Sequence, residues 1–256
     1  MSHKKETLYS TFQTIYSTIK TIFTNSPQNI LFVIRGFLVV FAIRIMLTIL
    51  DTVFIVDEYP FQRILFVIAT ALLIMGLEIG YTKFIFNVLD GNKLKISNIF
   101  NHFDLLGKYL FTSIMYYLIL LIGSLPGLLI VYAKYGFQII DIINNSLEDP
   151  YYFELINSYF NIWDFVLIVS VIIIPIIYLA LRLCFWSFFV IDKKLYYIEA
   201  LQLSWKITEE HILKILIYTI LIIIFNVLGA ISIIGLCFTI PFSYIFFCQY
   251  YRLLAN

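Results

Sequence analysis

The sequence predicts an all-α fold, a polytopic transmembrane helix bundle of about six spans, and three observations carry that expectation. First, 62% of the 256 residues are hydrophobic and 13% are charged, whereas a soluble domain usually has roughly a quarter charged and under half apolar residues. A water-soluble fold of this composition would lack the polar side chains to cover its surface. Second, the apolar residues fall into separated runs, each near the roughly 20 residues that a helix needs to cross the hydrocarbon. Third, basic and acidic connecting segments alternate along the chain, as short loops on opposite sides of a membrane do.

The elements follow in order. Residues 1–28 form a polar segment with His3, Lys4, Lys5 and Lys20, in which Leu8, Phe12, Ile15, Ile19, Ile22 and Phe23 make an amphipathic stripe. It lacks a compact apolar core followed by a small-residue cleavage site, so the first apolar run is expected to remain as a span. That run is Asn29 to Leu50, interrupted by Asp51, Asp57, Glu58 and Pro60. The second, Phe61 to Val88, closes at the turn signal Asp90-Gly91-Asn92. The third runs from Leu105 to Tyr132 and the fourth from Ile162 to Ile191. The fifth, Ile212 to Ile231, and the sixth, Gly235 to Leu254, are divided only by the Gly/Ser-containing stretch Gly229 to Gly235. A tight turn there makes two short spans or a re-entrant hairpin; one uninterrupted helix would overshoot a bilayer core of about 30 Å. Residues 29–256 are expected to form a single six-span domain.

Loop charge gives an orientation. Lys4, Lys5 and Lys20 precede the first span, Lys83, Lys93, Lys95 and Lys108 surround the second connection, and Lys193, Lys194, Lys206 and Lys214 surround the fourth. The first connection is acidic, and so is the third, with Asp141, Glu148, Asp149 and Glu154. Both termini are therefore expected on the cytoplasmic side. Two further amphipathic stretches lie on that side. Leu94 to Phe103 carries Ile96, Ile99, Phe100 and Phe103, and Leu195 to Ile207 carries Ile198, Leu201, Leu203 and Trp205. Helices lying in the headgroups are the expectation; docking surfaces for another membrane protein use the same pattern.

Charge within a span is costly and often marks function. Arg35, Glu78 and Arg182 fall at similar depth when residues are counted from the span ends, so they form a candidate intramembrane polar cluster. One carboxylate between two guanidiniums would make charge-assisted hydrogen bonds. Such a cluster either fixes helix packing or receives an anionic substrate or lipid headgroup. Arg44 lies deeper with no carboxylate at its level, a candidate lone charge snorkelling toward Asp51 or a headgroup. Pro126, Pro175 and Pro241 sit inside spans and are candidate helix kinks.

Catalytic signatures are absent from the sequence. There is no Gly-x-Ser-x-Gly elbow, phosphate-binding loop or His-Glu-x-x-His motif. His3, His102 and His211 have no cysteine or acid at metal-ligand spacing, and Cys184, Cys237 and Cys248 lie in or beside apolar runs. No catalytic, cofactor-binding or metal site is expected. The net charge of +1 provides no field for nucleic acid. The expected partner is the lipid bilayer, with other membrane proteins and anionic lipid as further candidates.

A family resemblance rests on motif order. Asp90-Gly91-Asn92-Lys93-Leu94-Lys95-Ile96-Ser97-Asn98-Ile99-Phe100 is followed by a span containing Leu125-Pro126-Gly127. Ile191-Asp192-Lys193-Lys194 comes next, then Ile198-Glu199-Ala200-Leu201-Gln202-Leu203-Ser204-Trp205, and finally Thr239-Ile240-Pro241 and Tyr250-Tyr251-Arg252-Leu253. The series resembles the YciC-like group of bacterial six-span membrane proteins of unknown function, similar to the membrane domain attached to some glycerophosphodiester phosphodiesterases. The resemblance implies a six-helix bundle in a bacterial cytoplasmic membrane and no catalytic residues. The expected function is that of a non-enzymatic scaffold or accessory subunit, with a small transporter or permease, or a lipid-binding protein, as alternatives.

Overall fold

A computed structural model describes residues 27–53, 60–92, 95–146 and 160–255. The N-terminal amphipathic stripe, the acids Asp57 and Glu58 of the first connection and the acids Glu148, Asp149 and Glu154 of the third lie outside the described residues. All the regular structure described is helical. The α-helices are α1 (Pro27–Val53), α2 (Pro60–Leu89), α3 (Leu106–Ser146), α4 (Ile162–Arg182), α5 (Trp186–Lys193), α6 (Tyr197–Thr208), α7 (Ile212–Ala230) and α8 (Ile233–Ala255). Two 3-10 turns, Ile96–Phe100 and Phe103–Leu105, join α2 to α3. Six helical stretches are long and apolar enough to cross a membrane, beginning at Ile30, Phe61, Ile96, Ile162, Ile212 and Ile234. The protein is a multi-pass membrane helix bundle.

The chain divides into two compact units. The first contains α1, α2, the 3-10 turns, the first residues of α3 and everything from Phe185 onward. In it α1 pairs with α2, α7 with α8, and α5 with α6, while α8 also packs on α1 and α2. Its centre is aromatic. Phe185 lies 5.1 Å from Phe247, Tyr218 stacks on Tyr250 at 4.6 Å, and Phe86 meets Phe188 edge-on at 5.7 Å. These are the separations at which ring quadrupoles attract. The α7–α8 turn falls at Ile231-Ser232, where the Ser232 hydroxyl accepts the Gly235 N–H at 3.0 Å. Gly229 is required just before it, because a Cβ there would stand 2.3 Å from the Thr239 hydroxyl oxygen.

The second unit runs from Ile114 to Cys184 and comprises the rest of α3 with α4. Val131, Tyr135 and Phe160 are its buried centre. Gly127 lets the helix backbones meet, since a Cβ at that position would approach the Val171 carbonyl oxygen to 2.5 Å. Asn161 caps α4: its side chain accepts from Trp163 N–H at 2.9 Å and Asp164 N–H at 3.0 Å, and Asp164 accepts the Asn161 N–H at 3.1 Å. This reciprocal box satisfies helix-end donors that otherwise lack partners.

Four differences from the sequence reading have physical causes. The third span does not end near Tyr132; α3 continues to Ser146, and Lys134 and Tyr135 use it to reach Asp164 of α4. The fourth run is not one helix, because Leu183-Cys184-Phe185 form a turn and the Phe185 N–H is taken by the Ser204 hydroxyl of α6 at 3.1 Å. The stretch expected as a headgroup helix after α2 is instead 3-10 turns docked on α2: Ile99 is fully buried, and Cβ atoms at Gly80 and Gly76 would collide with the Ile99 carbonyl and the Phe103 ring. Finally, α6 exists as expected but buries Ala200, Leu201, Ser204 and Thr208 and leaves Ile198 exposed. Of the expected apolar stripe Leu201 is buried, together with the small residues Ala200 and Ser204.

Candidate functional site

The pairing of α1 with α2 sets where the charges meet. A Cβ on Gly36 would lie 3.2 Å from the Phe84 ring and 3.3 Å from the Ile99 side chain, so α1 seats on α2 at this point. Beside it, the rings of Phe37 and Tyr81 lie 6.3 Å apart. The same antiparallel register brings the Arg44 guanidinium to the Glu78 carboxylate at 2.5 Å. Arg44 shares its helix face with Val40 and Leu47, both buried, so the pair occupies the groove between the two helices.

This arrangement corrects two expectations. Arg44 is not a lone charge, and its guanidinium turns to Glu78 rather than outward to Asp51 or a headgroup. Within its own unit, Glu78 meets Arg44 and not Arg35. Arg35 stands about 13 Å away from Arg44 along α1, at ~1.5 Å per residue, and its guanidinium carbon lies 5.8 Å from the centre of the Phe32 ring. Arg182 belongs to the other unit, where it ends α4 and is buried. The depth count assumed that both helices start at one plane, whereas α2 has 30 residues and is longer than the membrane requires.

The Arg44–Glu78 pair is unusual in its setting. The apolar stretches run from Ile30 to Leu50 and from Phe61 to Leu89, and each charge falls within about 6 Å of the middle of its own stretch. Yet the side chains are 49% and 40% exposed. Around them the outer half of the hairpin is open: Phe41, Ile45, Met46 and Ile49 on α1, and Ile64, Leu65, Val67 and Ile68 on α2, are all exposed. Toward the other end of α2 the surroundings close. Thr82 donates to the Glu78 carbonyl at 2.8 Å and shares a 2.8 Å hydrogen bond with the Tyr244 hydroxyl, and the Tyr81 hydroxyl is buried with no hydrogen-bond partner among the described residues.

Compared with protein-family models, curated proteins and solved structures, the chain matches none of them. The site is therefore read from its own residues.

A second charged group was not visible in the sequence. Asp192, at the end of α5, accepts from Arg252 of α8 at 3.0 Å, lies 3.8 Å from Lys83 of α2, and receives the Tyr251 hydroxyl at 3.5 Å. Arg252 also reaches Asp90 at 3.0 Å and lies over the Phe86 ring at 4.9 Å. These residues come from three distant stretches, each of which reads as an ordinary charged helix end. Their charges balance one another, so the group ties α2, α5 and α8 together. Nearby, Lys108 donates to the Lys194 carbonyl at 3.2 Å and sits 3.8 Å over the Tyr196 ring. Lys194 itself has φ of 54°, which ends α5 in the left-handed conformation.

Pro126, Pro175 and Pro241 lie inside α3, α4 and α8, which continue through them. Cys184, Cys237 and Cys248 are free thiols. Among the described residues no three His, Cys, Asp or Glu side chains are grouped to hold a metal ion.

Proposed function

We propose that the protein is a non-enzymatic scaffold or accessory subunit that works by lateral contact with other protein inside a bacterial cytoplasmic membrane, its termini on the cytoplasmic side. One observation carries this reading: the half-exposed Arg44–Glu78 pair near the middle of the apolar stretches. Ions facing hydrocarbon cost several kcal/mol even when paired. A neighbouring protein surface that covers the groove and offers polar contacts removes that cost, and the exposed outer halves of α1 and α2 provide the surrounding apolar area.

The test is a photoreactive residue at Phe41, which is exposed and lies one turn before Arg44 on the same side of α1, irradiated in native membranes. Protein adducts are expected. Recovery of lipid and water adducts alone would overturn the reading and favour a permease, in which the groove is wetted instead.

A further inference from the structure

We propose that the surface covering the Arg44–Glu78 groove is a second copy of this chain, related by a two-fold axis along the membrane normal. The inference rests on the lateral-contact reading above and names its partner.

Symmetry and charge carry the argument. Copies inserted in the same direction are related by rotation about the normal, and such a rotation leaves every residue at its own depth. Arg44 and Glu78 already share a depth, because they meet at 2.5 Å. They stand on adjacent antiparallel helices, α1 and α2. When two such hairpins face each other across a two-fold axis, α1 of one copy lies against α2 of the other. Arg44 of each copy then faces Glu78 of its mate. Two half-exposed ion pairs become a closed ring of four alternating charges, and each guanidinium gains a second acceptor for donors that its own carboxylate does not use. Any other partner would need a complementary dipole at this depth; a second copy has one by construction.

A neighbouring residue permits the approach. Ala71 lies two turns from Glu78 on the same face of α2 and is exposed, and a small side chain there lets membrane helices come close. Phe41 and Ile45 on α1, and Ile68 further along α2, border the charges with exposed apolar area. That gives a polar centre within an apolar border.

The experiment uses charge reversal with two differently tagged copies co-expressed in one membrane. The double swap Arg44→Glu/Glu78→Arg keeps the ion pair within each chain, so the hairpin retains its own pairing. Swapped chains also remain complementary to one another. Against the parent chain, however, the swap sets acid against acid and base against base. Parent should capture parent and swap should capture swap. Capture between parent and swap should fall by about tenfold or more, as like charges meeting across an interface dictate.

Equal capture of parent by parent and parent by swap would overturn the second-copy inference, and so would failure of the parent to capture itself. Irradiation of the Phe41 probe separates the two levels. A Phe41 adduct at twice the chain mass supports the inference. An adduct with a different protein overturns it and leaves the lateral-contact reading standing, and no protein adduct overturns both.

Discussion

Asp90 and Asp192 offer a direct test of how burial sets the worth of an ion pair in this protein. Both carboxylates lie 3.0 Å from the same Arg252 guanidinium, but the Asp192 side chain is 8% exposed and that of Asp90 46%. Replacing either with Asn removes the charge and keeps the shape. At Asp192 the loss strips Lys83 and Arg252 of a shared counter-charge in a largely dry place and weakens the acceptor for the Tyr251 hydroxyl. Breaking a fully buried pair costs about 3–5 kcal/mol. Lys83 and Arg252 are 22% and 25% exposed, so water recovers part of that, and we expect about 2–3 kcal/mol for Asp192→Asn. Asp90→Asn should cost under about 1 kcal/mol, as exposed pairs do. The difference of ~2 kcal/mol is roughly a thirtyfold change in the folding equilibrium. Equilibrium unfolding in mixed micelles, followed by tryptophan fluorescence, reads it; Trp186 is buried on α5, the same helix as Asp192. Arg252→Gln should cost at least as much as Asp192→Asn, because it also loses Asp90, and the two together should cost clearly less than their sum, because both remove the same Arg252–Asp192 pair. Equal losses at Asp90 and Asp192, or a loss at Asp192 within ~0.5 kcal/mol of the parent, would refute the reasoning.

Three further outcomes follow from close contacts and caps. Gly80→Ala places a Cβ 1.7 Å from the Ile99 carbonyl oxygen and should destabilise by about 3 kcal/mol, with faster amide exchange across Ile96–Phe100; Gly107→Ala, with nothing within 4 Å, should be neutral or stabilise by up to ~0.5 kcal/mol. Ser204→Ala removes the hydroxyl that receives the buried Phe185 N–H and should cost about 1–3 kcal/mol, measured by the same unfolding assay. Asn161→Ala should cost about 1 kcal/mol and raise amide exchange in the first turn of α4, leaving the α7–α8 pair unchanged.

The spans were legible because hydrophobic length is a local property. Each starts or ends within a few residues of the sequence reading, except where tertiary contact intervenes. The α7–α8 turn was readable in the same way, from Gly229, Ser232 and Gly235. The start of α4 was written in the sequence as Asn161 followed by Asp164 at capping-box spacing, a signal masked by the surrounding aromatics. The turn at Leu183-Cys184-Phe185 had no such signal. It contains no Gly or Pro, and its amide is satisfied by Ser204, a residue that only the folded chain brings near. The face buried by α6 was read only in part, for a related reason. Hydrophobicity favours Ile198 and Leu201 alike, but Leu201 is buried beside Ala200 and Ser204 while Ile198 is left exposed.

The charged residues show why depth alone cannot pair them. Counting from span ends places Arg35 level with Glu78, and nothing in the charges themselves contradicts it. The vertical offset of α1 against α2 is decided elsewhere, at positions where side chains are missing. Gly36 admits the Phe84 ring and the Ile99 side chain to one helix face, and Gly80 admits the Ile99 backbone to the other helix. Sliding α1 by the ~13 Å needed to bring Arg35 to Glu78 would carry Gly36 away from both contacts and set larger side chains against them. Burial of close-packed apolar groups outweighs the choice of which arginine meets the carboxylate, because either arginine would satisfy it. The identity of Glu78's partner is thus encoded in glycines rather than in charge. Bulk at Gly36 should uncouple Arg44 from Glu78 without touching either residue.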